Sequence, residues 1–311
     1  MSTLTLKGPY WVTVRQHRRV LWAVPALVAL GLVMMVSLRM WSGDSEADRE
    51  FYMSSEYYAW ELLRLCVMYA GNTLLFLPLL VGAFVAGPMV ARELESGTWR
   101  LALTQSTTAR AWLGSKVLVA TAVSVLGSLA LIGVYRLGWV RVNQTWQVTW
   151  ADRGPYEATG LVLVGYCLLG VALGALVGQL VRRTLVAMAV TGFLTGIVLL
   201  VLGALRWSFL PVVTSTAPFP GHVQPEFPAS AFMMDSGFLT ATGERLSENA
   251  CFERTQMVDG CPADLNITAR YLDVHPVSHY WPTQLIETAI LLTLAAAVLY
   301  AAFRLVQKRH P

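Results

Sequence analysis

Six stretches of this chain run for about twenty residues with no charge in their interior, save one acid in the last. These are 20–38, 65–91, 117–135, 158–181, 184–206 and 283–303, the last carrying Glu287. A bilayer core about 30 Å thick is crossed by roughly 20 apolar residues at 1.5 Å rise each. Length alone separates such runs from buried helices, so no periodicity is needed. Composition agrees: 55% of the residues are hydrophobic and 14% charged, against about 25% charge in a soluble domain. This excludes a disordered or nucleic-acid-binding chain and argues against a water-soluble globule. The expected fold is an all-α polytopic membrane protein of six transmembrane helices.

Lys and Arg set the orientation. With the N-terminus inside, the inner segments are 1–19, 92–116, 182–183 and 304–311, and they hold 13 of the 23 basic residues. Only Glu93 and Glu95 among the acids are inside, while 16 of 19 are outside. Both termini are therefore expected to be cytoplasmic, with a large outer loop, 207–282, between helices 5 and 6. The first span has the basic flank of a signal peptide, but it is long and lacks an A-x-A-like site, so it reads as an uncleaved anchor. Trp41, Trp139, Trp207 and Trp281 sit just beyond outer ends, at headgroup level.

Residues 10–19 mix aromatic and basic side chains, which fits either an interfacial amphipathic helix or a basic topogenic flank. The 39–64 segment is acidic. The 207–282 loop holds 8 of the 14 prolines, so it cannot be one long helix. It also holds Cys251 and Cys261. On an outer face that pair is expected to form a disulfide; zinc is the rival, but two cysteines cannot complete a tetrahedral site. Cys66 and Cys167 lie in spans and read as small apolar residues.

Several chemistries are absent. The three lysines, Lys7, Lys116 and Lys308, follow Leu6, Ser115 and Gln307, so no Walker A loop exists in the chain. There is no H-E-x-x-H and no G-x-S-x-G. His275 and His279 have helical ligand spacing, but Pro276 lies between them, and no metal is expected. Gly170, Gly174 and Gly178, then Gly192 and Gly196, repeat every four residues, which brings backbones close. They serve either packing within one subunit or a subunit interface. Glu287 at membrane depth is either on a substrate path or paired with Arg206. Asn72 and Thr73 are further candidates for that path, or for interhelical hydrogen bonds. Pro78 and Pro88 should kink the second span.

The loop after that span is the most informative segment. It reads Arg92-Glu93-Leu94-Glu95-Ser96-Gly97-Thr98-Trp99-Arg100, continues through Leu101 and Leu103, and leads to Arg110 and Lys116. Gly97 permits a sharp turn. Thr98 can cap a helix starting at Trp99. A short helix offering mixed apolar and charged residues suits a docking element for a cytoplasmic partner; the plain alternative is a loop whose acids pair with its own arginines.

The pattern Arg-Glu-x-Glu-x-Gly-Thr-x-x-x-x-Leu-Thr at 92–104, followed by Arg110 and Lys116, resembles permease subunits of type-2 ABC exporters, many of them actinobacterial. The resemblance implies a plasma-membrane, multi-pass permease, in bacteria the inner membrane, with no catalysis of its own. It implies two copies of a separate ABC ATPase, which bind the ATP and Mg, and a second permease copy or a sister permease. The 92–104 loop would be the element seated on the ATPase, and the substrate an amphipathic or hydrophobic compound. A membrane-anchored sensor using 207–282 and a lipid-active membrane enzyme are the rival classes.

Overall fold

The computed structural model describes residues 13–15, 18–42, 55–104, 108–143, 148–221, 223–255 and 261–309. Most of the proposed 10–19 interfacial helix and the centre of the acidic 39–64 segment lie outside them. The chain forms two compact units, the second being Thr149–Ala151 with Trp207–Thr283.

Six helical stretches among the described residues are long and apolar enough to cross a membrane. They are Leu21–Trp41, Tyr57–Ser96, Ala109–Val142, Val162–Val181, Thr184–Ser208 and Val277–Arg309. The helices behind them are α1 (Arg18–Trp41), α2 (Ser55–Leu74), α3 (Leu77–Leu80), α4 (Gly87–Ser96), α5 (Trp99–Thr104), α6 (Ala109–Val142), α7 (Arg153–Thr159), α8 (Val162–Val181), α9 (Thr184–Leu205) and α11 (Tyr280–Arg309). The third span outruns its apolar stretch at both ends; at its start Thr108 caps it, accepting from the Ala111 N–H at 3.1 Å. The fourth begins later than its uncharged run. Ala158 and Thr159 belong to α7, a separate short helix that ends at Gly160.

The prolines reshape the second span. Leu75 and Phe76 form a turn before α3, which has Pro78 in its first turn, where a missing N–H costs nothing. A π-helical turn, Val81–Ala86, precedes Pro88 at the start of α4. A proline ring clashes with the carbonyl four residues back, and a wider turn relieves that clash.

Close backbone approach holds this irregular span in place. A Cβ built on Gly174 would lie 2.4 Å from that of Ala86, and one on Gly178 would lie 3.0 Å from that of Val90. Gly170 faces Pro78 and Gly82, while Gly192 and Gly196 of α9 face Ala83 and Leu79 more loosely. All five glycines thus meet the second span of the same chain. Around it Ala86, Met89 and Val90 pack with Trp112 and Leu113 of α6, Val171 and Ala175 of α8, and Ala302 and Val306 of α11. Cys167 is buried in this core and Cys66 half-buried.

The second unit corrects the all-α expectation. It is a four-stranded antiparallel sheet in the order β1-β4-β2-β3, with β1 Val213–Pro218, β2 Phe232–Thr240, β3 Arg245–Ser247 and β4 Ile267–His275. Prolines forbid a long helix here, and the runs between them are rich in β-branched and aromatic residues. Asp273 accepts from Thr214 and Arg245 on one face of the sheet. Burial alone would raise its carboxyl, but these two donors hold it below the usual range. Cys251, in α10 (Ala250–Thr255), is disulfide-bonded to Cys261. His275 is buried; its Nε2 lies 3.1 Å from the Trp207 carbonyl and its Nδ1 lies 3.0 Å from Nδ1 of His279. A carbonyl only accepts, so Nε2 carries the proton and Nδ1 accepts from His279. Burial, with His279 beside it, keeps His275 below the ordinary 6.5 despite the carbonyl.

Two outcomes follow for this unit. Paired Cys251→Ser and Cys261→Ser should cost it about 2–3 kcal/mol, seen as faster trypsin cleavage at exposed Arg254. Below about pH 6.5 the unfolded chain binds a proton that folded His275 refuses, so stability falls on acidification. The unfolding temperature of this unit should therefore fall as the pH drops below about 6.5, and His275→Gln should flatten that fall.

Candidate functional site

Helix α4 stops at Gly97, whose φ of +74° is a left-handed conformation that glycine adopts without strain. A Cβ there would meet nothing within 4 Å, so backbone conformation is the whole constraint. The chain turns back, with the Arg100 N–H donating to the Gly97 carbonyl at 3.1 Å, and enters α5. Where a cap was expected, the Thr98 hydroxyl lies 2.9 Å from that of Ser96.

The two acids before the turn bind groups on other helices rather than the loop's own arginines; Glu93 is half-buried and Glu95 exposed. Glu93 accepts from Nε1 of Trp112 at 2.8 Å and from Nζ of Lys116 at 2.7 Å. Lys116 is only 2% exposed, so this pair is largely desolvated. Glu95 accepts from the backbone N–H of Thr184 at 2.9 Å and from its hydroxyl. An acid there satisfies an orphan donor at the start of α9 and meets the positive end of its dipole. Glu93 therefore ties α4 to α6, and Glu95 ties it to α9. Trp99 is half-buried against the core, with the Arg100 guanidinium 5.7 Å from its ring. Arg92, Thr98, Arg100 and Arg110 are exposed. The side chains of Leu101 and Leu103 lie outside the described residues.

At the opposite end of the helical unit Glu287 is fully buried. It accepts from Arg206 at 2.8 and 3.1 Å and from the Tyr166 hydroxyl at 2.5 Å. Arg206, 2% exposed, also donates to Glu157 at 2.6 Å and stacks 3.7 Å from the centre of the Tyr156 ring. Beside them Gln284 donates to the Tyr156 carbonyl at 2.7 Å and accepts from the Val162 N–H at 3.0 Å. The cluster joins α7, α8, α11 and the residue that ends α9.

The three candidates for a substrate path are not brought together. Glu287 is enclosed by ion pairs, whereas Asn72 and Thr73 are exposed and the Thr73 hydroxyl donates to its own helix at Tyr69. Sequence reasoning found the Arg206–Glu287 pairing as one alternative but missed Glu157 and Tyr166. The usable signal was an acid one residue before the fourth uncharged run.

Residues 20–206 match the family model described as ABC-2 membrane transporter related. The chain belongs to that family. No curated protein and no solved structure matches it. The family supplies transmembrane subunits that in general partner an ABC ATPase and are not themselves catalytic. The match takes in the Gly97 turn and both acids, and it ends at Arg206, before the sheet.

Removing Arg206 leaves two carboxylates facing each other out of water. Arg206→Ala should cost about 3–5 kcal/mol, and adding Glu157→Gln and Glu287→Gln should recover much of it. Thermal unfolding of the purified chain in detergent reads both.

Proposed function

We propose that the chain is the permease subunit of an ATP-driven exporter whose ATP and Mg are bound by a separate ATPase. The carrying observation is the Gly97 turn: it leads from α4, braced to α6 through Glu93 and to α9 through Glu95, into the short helix α5. Force applied to α5 reaches two further spans through those contacts. An ATPase that closes on ATP would thereby bias the spans between inward- and outward-open arrangements. In this reading Arg92, Thr98, Trp99, Arg100 and Arg110 form the face toward the ATPase, while Glu93, Glu95 and Lys116 transmit.

The end bearing the turn faces the cytoplasm. The basic residues Arg92, Arg100, Arg110, Arg182, Arg183 and Lys308 are exposed, and Arg309 donates to the Gln179 carbonyl near the end of α8; such an excess marks the inner face. The sheet unit is then extracytoplasmic, where a Cys251–Cys261 disulfide persists. Export of an amphipathic compound, by two permeases on two ATPases in a bacterial cytoplasmic membrane, completes the reading. One feature favours a sensor instead: an open cleft of about 600 Å³ over the sheet, lined by Met233, Phe238, Phe252 and Arg270 among others.

A tagged pull-down in mild detergent tests the reading. An ABC-type ATPase at about equal stoichiometry is expected, and Gly97→Pro, which cannot adopt the positive φ, should release it while the permease stays in the membrane. Recovery of the permease alone, also after crosslinking in intact membranes, would favour the sensor.

A further inference from the structure

We propose that Glu157 is a proton-binding site that fastens α7 to its neighbours: with a proton the cluster around Arg206 packs dry, and without it α7 loosens. The inference goes beyond the permease reading and does not depend on it. Two carboxylates, Glu157 and Glu287, meet one guanidinium, Arg206, and all three side chains are at most 2% exposed. One cation neutralises one of them. The other is a buried surplus charge unless it takes a proton, as like charges in one dry site require. The hydrogen bonds decide which acid that is. Both oxygens of Glu287 accept: Oε2 from Nε of Arg206 at 2.8 Å, Oε1 from Nη2 of Arg206 at 3.1 Å and from the Tyr166 hydroxyl at 2.5 Å. Donors of this kind favour the ionised acid. Glu157 accepts on Oε1 alone, from Nη2 of Arg206 at 2.6 Å, and its buried Oε2 meets no donor among the described residues. A proton on Oε2 removes the surplus charge and leaves the Arg206 bond in place.

The other charges around α7 do not take that role. Asp152 and Arg153, at its start, are exposed. Arg136 of α6 is exposed and donates to the Thr159 carbonyl at 2.9 Å. From α2, Leu63 and Val67 pack with Ala158, while Glu61 and Arg64 pair with each other. Besides Glu287, α8 and α11 bring the neutral Tyr166 and Gln284. Burial accordingly pushes the Glu157 carboxyl up from the usual 4.5 to about 7, against the pull of Arg206 and Arg153 and with Glu287 adding to the rise.

Infrared difference spectra of the purified full chain in detergent read the site directly. A buried protonated carboxyl should titrate with a midpoint at about pH 7 and be lost in Glu157→Gln. Glu287→Gln leaves Arg206 to Glu157 alone and should lower that midpoint by about one pH unit or more. Melting gives a second reading. Between about pH 4.5 and about pH 7 the folded chain holds a proton that the unfolded chain has released, so stability falls as the pH rises. The helical circular-dichroism signal should therefore melt at lower temperature at about pH 8 than at about pH 6. A His275→Gln background silences the opposite slope of the sheet unit, and Glu157→Gln should remove the remaining difference. The inference is overturned if no buried protonated carboxyl is present at about pH 6, or if its band survives Glu157→Gln. It is overturned too if Glu157→Gln, whose neutral amide imitates the protonated acid, fails to fold. A band that titrates while melting ignores pH would overturn the fastening of α7.

Discussion

A charge taken out of water must be neutralised on the spot, and both ends of the helical unit are arranged around that requirement. At one end Arg206 is enclosed by Glu157, Glu287 and the Tyr156 ring, so three ionisable groups from different parts of the chain occupy one buried volume. At the other, Lys116 is nearly as buried and rests on Glu93. Ions in a medium of low dielectric gain from close pairing but lose hydration on the way. Well-packed apolar residues can match such clusters in stability, yet the clusters penalise any arrangement of the helices that separates the partners. They therefore define which helix lies beside which.

Between these ends the packing is apolar and tight. The second span is the irregular element, broken by two prolines and a π-helical turn. It is accommodated because α8 offers glycine wherever the two backbones approach. In a membrane the apolar effect does not distinguish a helix from lipid, so close van der Waals contact decides association.

Much of this was legible in the sequence. Six uncharged runs announced six helices, because length against bilayer thickness is a property of the run itself. The prolines of the second span, the disulfide pair and the Gly97 turn were each readable, since proline, cysteine and glycine act through their own backbone or covalent chemistry. The sheet was not. Its strands pair Val213–Pro218 with partners 51 to 61 residues later, and proline content announced only the lack of a long helix.

The sequence by itself determined the helical class, the number of candidate spans, the lack of a Walker A sequence in this chain and the position of the turn. Those follow from local properties of consecutive residues. Only the tertiary structure decided what the charges do. It bonded Glu93 and Glu95 to groups on other helices, with Glu95 still exposed, and it enclosed Glu287 with Arg206 and Tyr166. Which of two nearby charges finds a partner depends on residues far along the chain, 89 positions for Glu95 and Thr184 and 121 for Glu287 and Tyr166, and spacing along the chain carries no information about that distance.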